Sequence, residues 1–186
     1  NAKYNNVPAG NIERAIKKGI GDLDGIAFDE ITYEGYGPNG VAIIIEVITD
    51  NKNRSVAELR HIFTKFGGSL GETGSVSWMF EKKGQIILES KSIVYETLFD
   101  IALIAGAEDL EKFENSYIIT TPFESLMEVK KTIEDHGYLT KSADYQMISK
   151  TSQKVTKSES HSVVKLLDTL DNNDDVNRIF SNLDLD

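Results

Sequence analysis

Residues 37–48 read GPNGVAIIIEVI, a turn signal followed at once by a nearly continuous run of β-branched side chains. Gly, Pro and Asn favour a tight turn, whereas Val and Ile favour extended backbone. The residues before the turn, 27–36, alternate loosely between apolar and polar and are rich in β-forming types. The pattern therefore predicts a β-hairpin whose second strand, Val41–Ile48, is buried.

A helix is expected soon after the hairpin. Ser55–Glu58 has the spacing of a capping box, and apolar residues then recur at helical intervals as far as Phe66. A glycine-rich loop follows up to Gly74, and Val76–Phe80 has the composition of another strand. This first unit therefore has two strands, a helix and a strand, and lacks one helix and one strand of a complete ferredoxin-like plan.

A new pattern begins at Lys82 and gives strand, helix, two strands, helix and strand, which is the order of a ferredoxin-like domain. Residues 149–160 are polar without an apolar period and are predicted to be a linker. The chain ends in a helix and a strand, Val176–Leu183, which supply what the first unit lacks. The sequence therefore predicts an α+β protein with two ferredoxin-like α/β sandwich domains, one inserted in the other. The expected domains are residues 26–81 plus 155–186, and residues 82–154 including the linker.

Composition limits the kinds of chemistry and partner. The 186 residues include no cysteine, which excludes disulfides, thiolate metal sites and thiol nucleophiles. No apolar run approaches the roughly 18 residues of a membrane span, and no signal peptide is visible. The formal net charge of -10 repels a polyanion at long range, so any nucleic-acid contact must use a local basic surface. A cytoplasmic protein without a membrane partner is expected.

Positive charge is concentrated on the helix that follows the hairpin. At about 100° per residue, Arg54, His61 and Lys65 fall on one side, opposite the apolar stripe. Such a face contacts phosphates without reading bases, although an ordinary solvated helix face has the same composition. The candidate nucleic-acid-binding residues are Lys52, Arg54, Arg60, His61, Lys65, Lys82 and Lys83.

A glycine-rich loop is a second candidate for binding, through Gly67, Gly68, Gly71 and Gly74. A phosphate-binding loop would need a preceding strand and a closing Gly-Lys-Ser/Thr, whereas here a helix precedes and no lysine lies inside. The alternative is a helix C-cap followed by tight turns in which each glycine supplies a positive φ.

No catalytic or metal-binding pattern is present. The three histidines lie far apart in sequence, and no Gly-x-Ser-x-Gly elbow occurs. Asp171, Asn173 and Asp175 match the first ligand positions of a calcium loop, but Val176 and Asn182 replace the required Gly and Glu. A solvated acidic turn is expected there. The sequence predicts a protein that is not an enzyme and has no metal, cofactor or small-molecule substrate.

Several stretches resemble the YebC family. The most specific are VITDNKNRSVAELRH at 47–61, GGSLGETGSV at 67–76 and FEKKG at 80–84. Further matches are NIERAIKKG at 11–19, YEGYGPNG at 33–40, AGAED at 105–109 and, more loosely, residues 165–176.

The resemblance implies three domains, of which the first is helical and basic. Residues 1–25 would then be the remnant of this helical N-terminal domain, with its last helix ending at Lys18, and an N-terminal segment is expected to precede Asn1. Family members have been described as DNA-binding transcriptional regulators, and others, including a mitochondrial activator of cytochrome c oxidase translation, act on the ribosome.

Three functions follow from the resemblance and the charge pattern. The preferred one is a translation factor that contacts the ribosome and its RNA. The alternatives are a DNA-binding transcriptional regulator and a small-ligand-binding ferredoxin-like module.

Overall fold

The computed structural model describes residues 27–185, and this part of the chain forms ten strands and four α-helices. The predicted α+β class is confirmed. The described chain divides into two compact units, residues 27–80 with 149–185, and residues 81–148. We call them the discontinuous unit and the inserted unit. The helix expected at residues 8–18, and the N-terminal remnant that contains it, lie outside the described residues.

The discontinuous unit is built on the predicted hairpin. Strands β1 (Asp29–Tyr36) and β2 (Ala42–Thr49) pair antiparallel along their whole length. Strand β3 (Ser69–Leu70) pairs with β1, and β9 (Val176–Ser181) pairs with β2, so the strand order is β3-β1-β2-β9. The last strand therefore joins the hairpin, as its sequence position suggested.

Two helices cover one face of this sheet. They are α1 (Lys52–Lys65) and α4 (Ser160–Asp171). Ile43, Ile45 and other inward side chains of β2 form one apolar core with residues of both helices. Burial of each side chain of this size contributes about 1.5–3 kcal/mol to the stability of the fold. The β-branched run therefore provides the apolar surface on which both helices pack.

The inserted unit has the ferredoxin-like arrangement. Its sheet order is β5-β6-β4-β7, and its two helices pack over one core that includes Leu88, Leu98 and Ile133. The elements in chain order are β4 (Phe80–Glu89), α2 (Tyr95–Ile104), β5 (Asp109–Phe113), β6 (Ser116–Pro122), α3 (Leu126–Asp135) and β7 (Thr140–Ser149).

The predicted linker is partly wrong. Within residues 149–160, β8 (Gln153–Val155) pairs in parallel with β10 (Leu183–Leu185). Val155 is buried in the core of the discontinuous unit. A strand of three residues with one buried side chain is too short for its period to be recognised in sequence.

Two further element boundaries differ from expectation. Helix α1 begins at Lys52 rather than Ser55, because the Asn51 side chain caps it by accepting a hydrogen bond from the Arg54 N–H. The strand expected over Val76–Phe80 is instead a 3-10 turn, Ser77–Met79, followed by the start of β4. The third strand of the unit is the short β3.

The ends of the inserted unit lie side by side. The Lys150 N–H donates to the Met79 carbonyl oxygen over 2.8 Å, so the chain leaves and re-enters the discontinuous unit at one point. The core of the discontinuous unit uses residues on both sides of the insertion and none from within it. The boundaries at 25/26, 81/82 and 154/155 remain predictions.

We expect residues 27–80 and 149–186 to fold without the inserted unit when a short glycine linker replaces residues 81–148. The linker has to span only the gap beside the Met79–Lys150 hydrogen bond. The helices and strands of this unit give a far-UV circular dichroism signal that reports its unfolding. A broad, non-cooperative urea transition would contradict independent folding.

Candidate nucleic-acid interface

Helix α1 presents the predicted basic side chains to solvent. Its buried side consists of Ser55, Leu59 and Phe63, which face the core. The opposite side is exposed because the helix packs against the sheet along only one stripe. The basic residues of α1, all exposed, are Lys52, Arg54, Arg60, His61 and Lys65.

The guanidinium group of Arg54 forms ion pairs within the protein. One of its terminal nitrogens lies 2.9 Å from an Asp175 carboxylate oxygen and 2.9 Å from an Asp50 carboxylate oxygen. Two carboxylates therefore balance the charge of this guanidinium. Among the residues of α1 that were predicted to contact phosphates, Arg54 therefore has a structural role within the fold.

Asp175 is the centre of this network. Its carboxylate accepts hydrogen bonds from the Ser55 hydroxyl at 2.7 Å and the Thr49 hydroxyl at 3.1 Å, in addition to Arg54. The side chain is 9% exposed. The expected solvated acidic turn is therefore wrong at this position. The network joins the end of β2, the first turn of α1 and the loop before β9.

Lys52 and Arg60 lie toward β1. Lys52 forms an ion pair with Asp29 at 3.3 Å. Burial raises the pKa of Tyr33, while the positive charges of Lys52 and Arg60 act in the opposite direction, which places both cations near this phenol. Lys52 and Arg60 therefore lie on a different side of α1 from Arg54, His61 and Lys65, which share one side by their spacing.

The two lysines of β4 belong to the inserted unit. Lys83 is 18% exposed and lies 2.9 Å from both Glu108 and Glu81, whose carboxylates raise its pKa. Lys82 is exposed, with its ammonium nitrogen 4.0 Å from the ring centre of Phe123 and 4.1 Å from that of Tyr145. The positive charge of Lys83 is thus balanced by two carboxylates, whereas the ammonium group of Lys82 contacts two aromatic rings.

The first glycines of the loop end helix α1. The Gly68 N–H donates to the Phe63 carbonyl and the Gly67 N–H to the Thr64 carbonyl, which is a Schellman cap. Gly67 has φ +81, as this cap requires, but Gly68 does not have a positive φ. A Cβ on Gly68 would lie 2.6 Å from the Tyr36 carbonyl oxygen, so close packing explains this glycine. The expectation that each glycine supplies a positive φ is therefore wrong here.

The rest of the loop donates hydrogen bonds to a carboxylate of the protein itself. The N–H groups of Gly74, Val76 and Ser77 each donate to the Glu34 carboxylate over 2.8 Å. Glu34 is buried. Burial by itself raises the pKa of this carboxyl, but the N–H donors outweigh burial and hold the pKa below its ordinary value. These N–H groups are therefore occupied, and the exposed parts of the loop are Gly71–Gly74.

Trp78 was not identified from the sequence as a site residue. It is 65% exposed, and its indole N–H donates to the Ser75 carbonyl oxygen over 3.1 Å. The Tyr36 hydroxyl donates to the same oxygen. A rigid, exposed indole is unusual for a side chain of this size and is typical of a contact residue. In the sequence, Trp78 lies within the predicted strand Val76–Phe80, and a tryptophan in a strand is expected to belong to the core.

Among residues 27–185, the structure has no cluster of three or more His, Asp or Glu side chains that could hold a metal ion. In the same part of the chain no helix is long and apolar enough to cross a bilayer.

Replacing Asp175 with Ala is expected to destabilise the discontinuous unit by about 2–3 kcal/mol, because the charge-assisted hydrogen bonds from Arg54, Thr49 and Ser55 are lost. Urea unfolding followed by far-UV circular dichroism measures the change. Asp168→Ala, at an exposed position of α4, is the control and should shift the midpoint little. Equal shifts for the two variants would show that the network adds nothing.

Glu34 makes stability depend on pH. A depressed pKa in the folded state means that the stabilisation is complete above the ordinary value of 4.5 and is lost as pH falls through the depressed value. The stability advantage of the wild type over Glu34→Gln should therefore be constant near neutrality and shrink below about pH 4.5. Glu30→Gln on the same strand is the control. A Glu34→Gln difference that does not change with pH would refute this role for the carboxylate.

Comparison with known proteins identifies the family. The family model "TACO1/YebC second and third domain" matches residues 28–183. Probable transcriptional regulatory proteins from Geotalea uraniireducens and Geobacter sulfurreducens are each 47% identical over 184 residues, covering 99% of this chain and 74% of theirs. The crystal structure of a conserved hypothetical protein from Aquifex aeolicus is similar with a TM-score of 0.81 at 42% identity, covering 97% of this chain and 75% of that one. The resemblance seen in the sequence is confirmed, and the chain belongs to the TACO1/YebC family.

Proposed function

We propose that this protein regulates gene expression in the cytoplasm as a translation factor that contacts the ribosome and its RNA, without catalysing a reaction. The names of the relatives support a regulatory role. The observation that carries the RNA contact is the exposed side of α1. Among the described residues, Arg60 and Lys65 have no carboxylate within ion-pair distance, so their charges are available to phosphates, and the exposed His61 lies on the same helix.

The same unit offers an aromatic contact. Trp78 is held by its indole hydrogen bond beside a loop whose tip is exposed. Bases that are splayed out of irregular RNA stack on such rings, whereas bases within duplex DNA are already stacked. Basic side chains together with one fixed indole therefore favour folded or single-stranded RNA over a duplex operator.

The names of the curated relatives favour a second function, transcriptional regulation through DNA. The bases of duplex DNA are already stacked and are not accessible to the exposed ring of Trp78, which places this function behind the first. The third possibility, a small-ligand-binding module, draws support only from the ferredoxin-like arrangement of the inserted unit.

Charge reversal on α1 tests the proposal. Arg60→Glu combined with Lys65→Glu should reduce ribosome co-sedimentation at moderate salt and lower the salt dependence of binding by about one log–log unit per lost contact. Arg54 is left unchanged because its loss would disturb Asp175. Lys131→Glu with Lys141→Glu, at exposed positions of the inserted unit, makes the same change in net charge and is the matched control.

Three outcomes separate the functions. Loss of binding in the α1 variant but not in the control supports the proposal. Unchanged co-sedimentation of the folded α1 variant shows that another surface contacts the ribosome. A wild type that ignores ribosomes but protects a defined duplex DNA site at physiological salt shows that transcriptional regulation is the function.

Trp78 is expected to contribute through stacking. Trp78→Ala should weaken binding to ribosomes or to single-stranded ribosomal RNA fragments by about 1–3 kcal/mol, because one base loses its aromatic partner. Trp78→Phe retains a ring and should recover part of the affinity. Far-UV circular dichroism checks that both variants fold. Equal affinities of wild type and Trp78→Ala would exclude stacking at this residue.

A further inference from the structure

Helix α2 of the inserted unit exposes a stripe of large apolar side chains. Tyr95, Phe99 and Leu103 follow one another at intervals of four residues and therefore lie along one side of the helix. Leu103 is 60% exposed, and the rings of Tyr95 and Phe99 stack with centroids 6.0 Å apart. We call these three residues the α2 stripe.

The α2 stripe flanks the face that α2 buries. Leu98 and Ala102 point into the core of the inserted unit and account for the packing of the helix. An amphipathic helix at a protein surface normally carries polar residues on its other sides. Large apolar side chains grouped on the solvent side are instead typical of a surface that another molecule covers.

The neighbouring edge strand restricts how a partner binds. Strand β5 is at the edge of its sheet, where an added strand could pair. The Leu110 N–H donates to the Asp109 side chain over 2.9 Å, and the Leu110 carbonyl accepts from the Tyr95 hydroxyl over 3.1 Å. An incoming strand would find both groups of Leu110 occupied, which disfavours strand addition at this point and favours contact with the α2 stripe through side chains.

The charge around the α2 stripe restricts the chemistry of the partner. Glu96 and Asp100 lie beside it on α2, and residues 91–114 contain six acidic and two basic side chains. This surround repels the phosphates of a nucleic acid. It also disfavours a two-fold dimer, because each copy would bring the same acidic groups to the interface. Lysine and arginine side chains complement it.

We infer that the α2 stripe is a docking site for a basic amphipathic helix of a partner protein, with apolar residues facing Phe99 and Leu103 and Lys or Arg facing Glu96 and Asp100. Helices dock on helices through anchors at intervals of three and four residues, which matches the spacing of the stripe. The site belongs to the inserted unit and uses none of the basic residues of α1.

Peptide binding tests the inference directly. The probe is a fluorescent synthetic helix with leucines at intervals of three and four residues and lysines elsewhere. Its comparisons are the same helix with glutamate in place of lysine, and a scrambled peptide of unchanged composition. Anisotropy should show binding of the basic helix, with at least about ten-fold weaker binding of each comparison peptide.

Variants locate the binding surface. Phe99→Ser with Leu103→Ser should weaken binding of the basic helix at least about ten-fold, because the apolar anchors are lost. Ile104→Ser is the matched control, since Ile104 is 85% exposed on the same helix but points away from the stripe. Tyr95 is left unchanged because its hydroxyl caps Leu110.

Several results would overturn the inference. Equal binding by wild type and the Phe99/Leu103 variant would show that the lysines attach nonspecifically to an acidic surface. Absence of binding by the wild type would exclude a basic helix. Sedimentation velocity that shows a wild-type dimer, lost in the Phe99/Leu103 variant, would assign the stripe to a second copy. Photo-crosslinking from Leu103 to RNA would assign it to nucleic acid.

Discussion

The buried carboxylate of Asp175 is the constraint on which the discontinuous unit depends. It accepts hydrogen bonds from Thr49, Ser55 and Arg54, which lie more than a hundred residues earlier in the chain. A carboxylate without these donors would be costly to bury. Because each group satisfies the others, the end of β2, the start of α1 and the loop before β9 can adopt only one mutual arrangement.

Glu34 is a second buried carboxylate, and its hydrogen-bond donors are backbone N–H groups. Three N–H groups at the end of the glycine-rich loop and just after it converge on its carboxylate, so the loop has a fixed shape although most of its tip is exposed. This fixed shape holds Trp78 in place, since the Ser75 carbonyl that accepts the indole N–H belongs to the same anchored segment. Two buried anions thus position the parts of this unit that face solvent: Asp175 acts on the basic helix, and Glu34 acts on the aromatic residue.

Much of the fold could be predicted because it depends on local patterns. The turn and the β-branched run identified the hairpin, and the second α/β pattern identified the ferredoxin-like unit. The start of α1 was missed because Asn51 and Ser55 both suit a cap, and only the structure shows that Ser55 is buried. The roles of Asp175 and Trp78 were missed for another reason. One depends on partners far away in sequence and the other on exposure, and neither leaves a periodic signal.

The pairing of β9 with β2 has a consequence for synthesis on the ribosome. Strand β2 is made before the inserted unit, but the strand that covers its edge is made after it. While the inserted unit is being made, the nascent chain carries an isoleucine-rich strand with one unpaired edge, the kind of segment that associates with other chains. The inserted unit has its whole sequence in one continuous stretch and can complete its sheet first. The order of synthesis therefore leaves one edge of β2 unprotected until the inserted unit has been made.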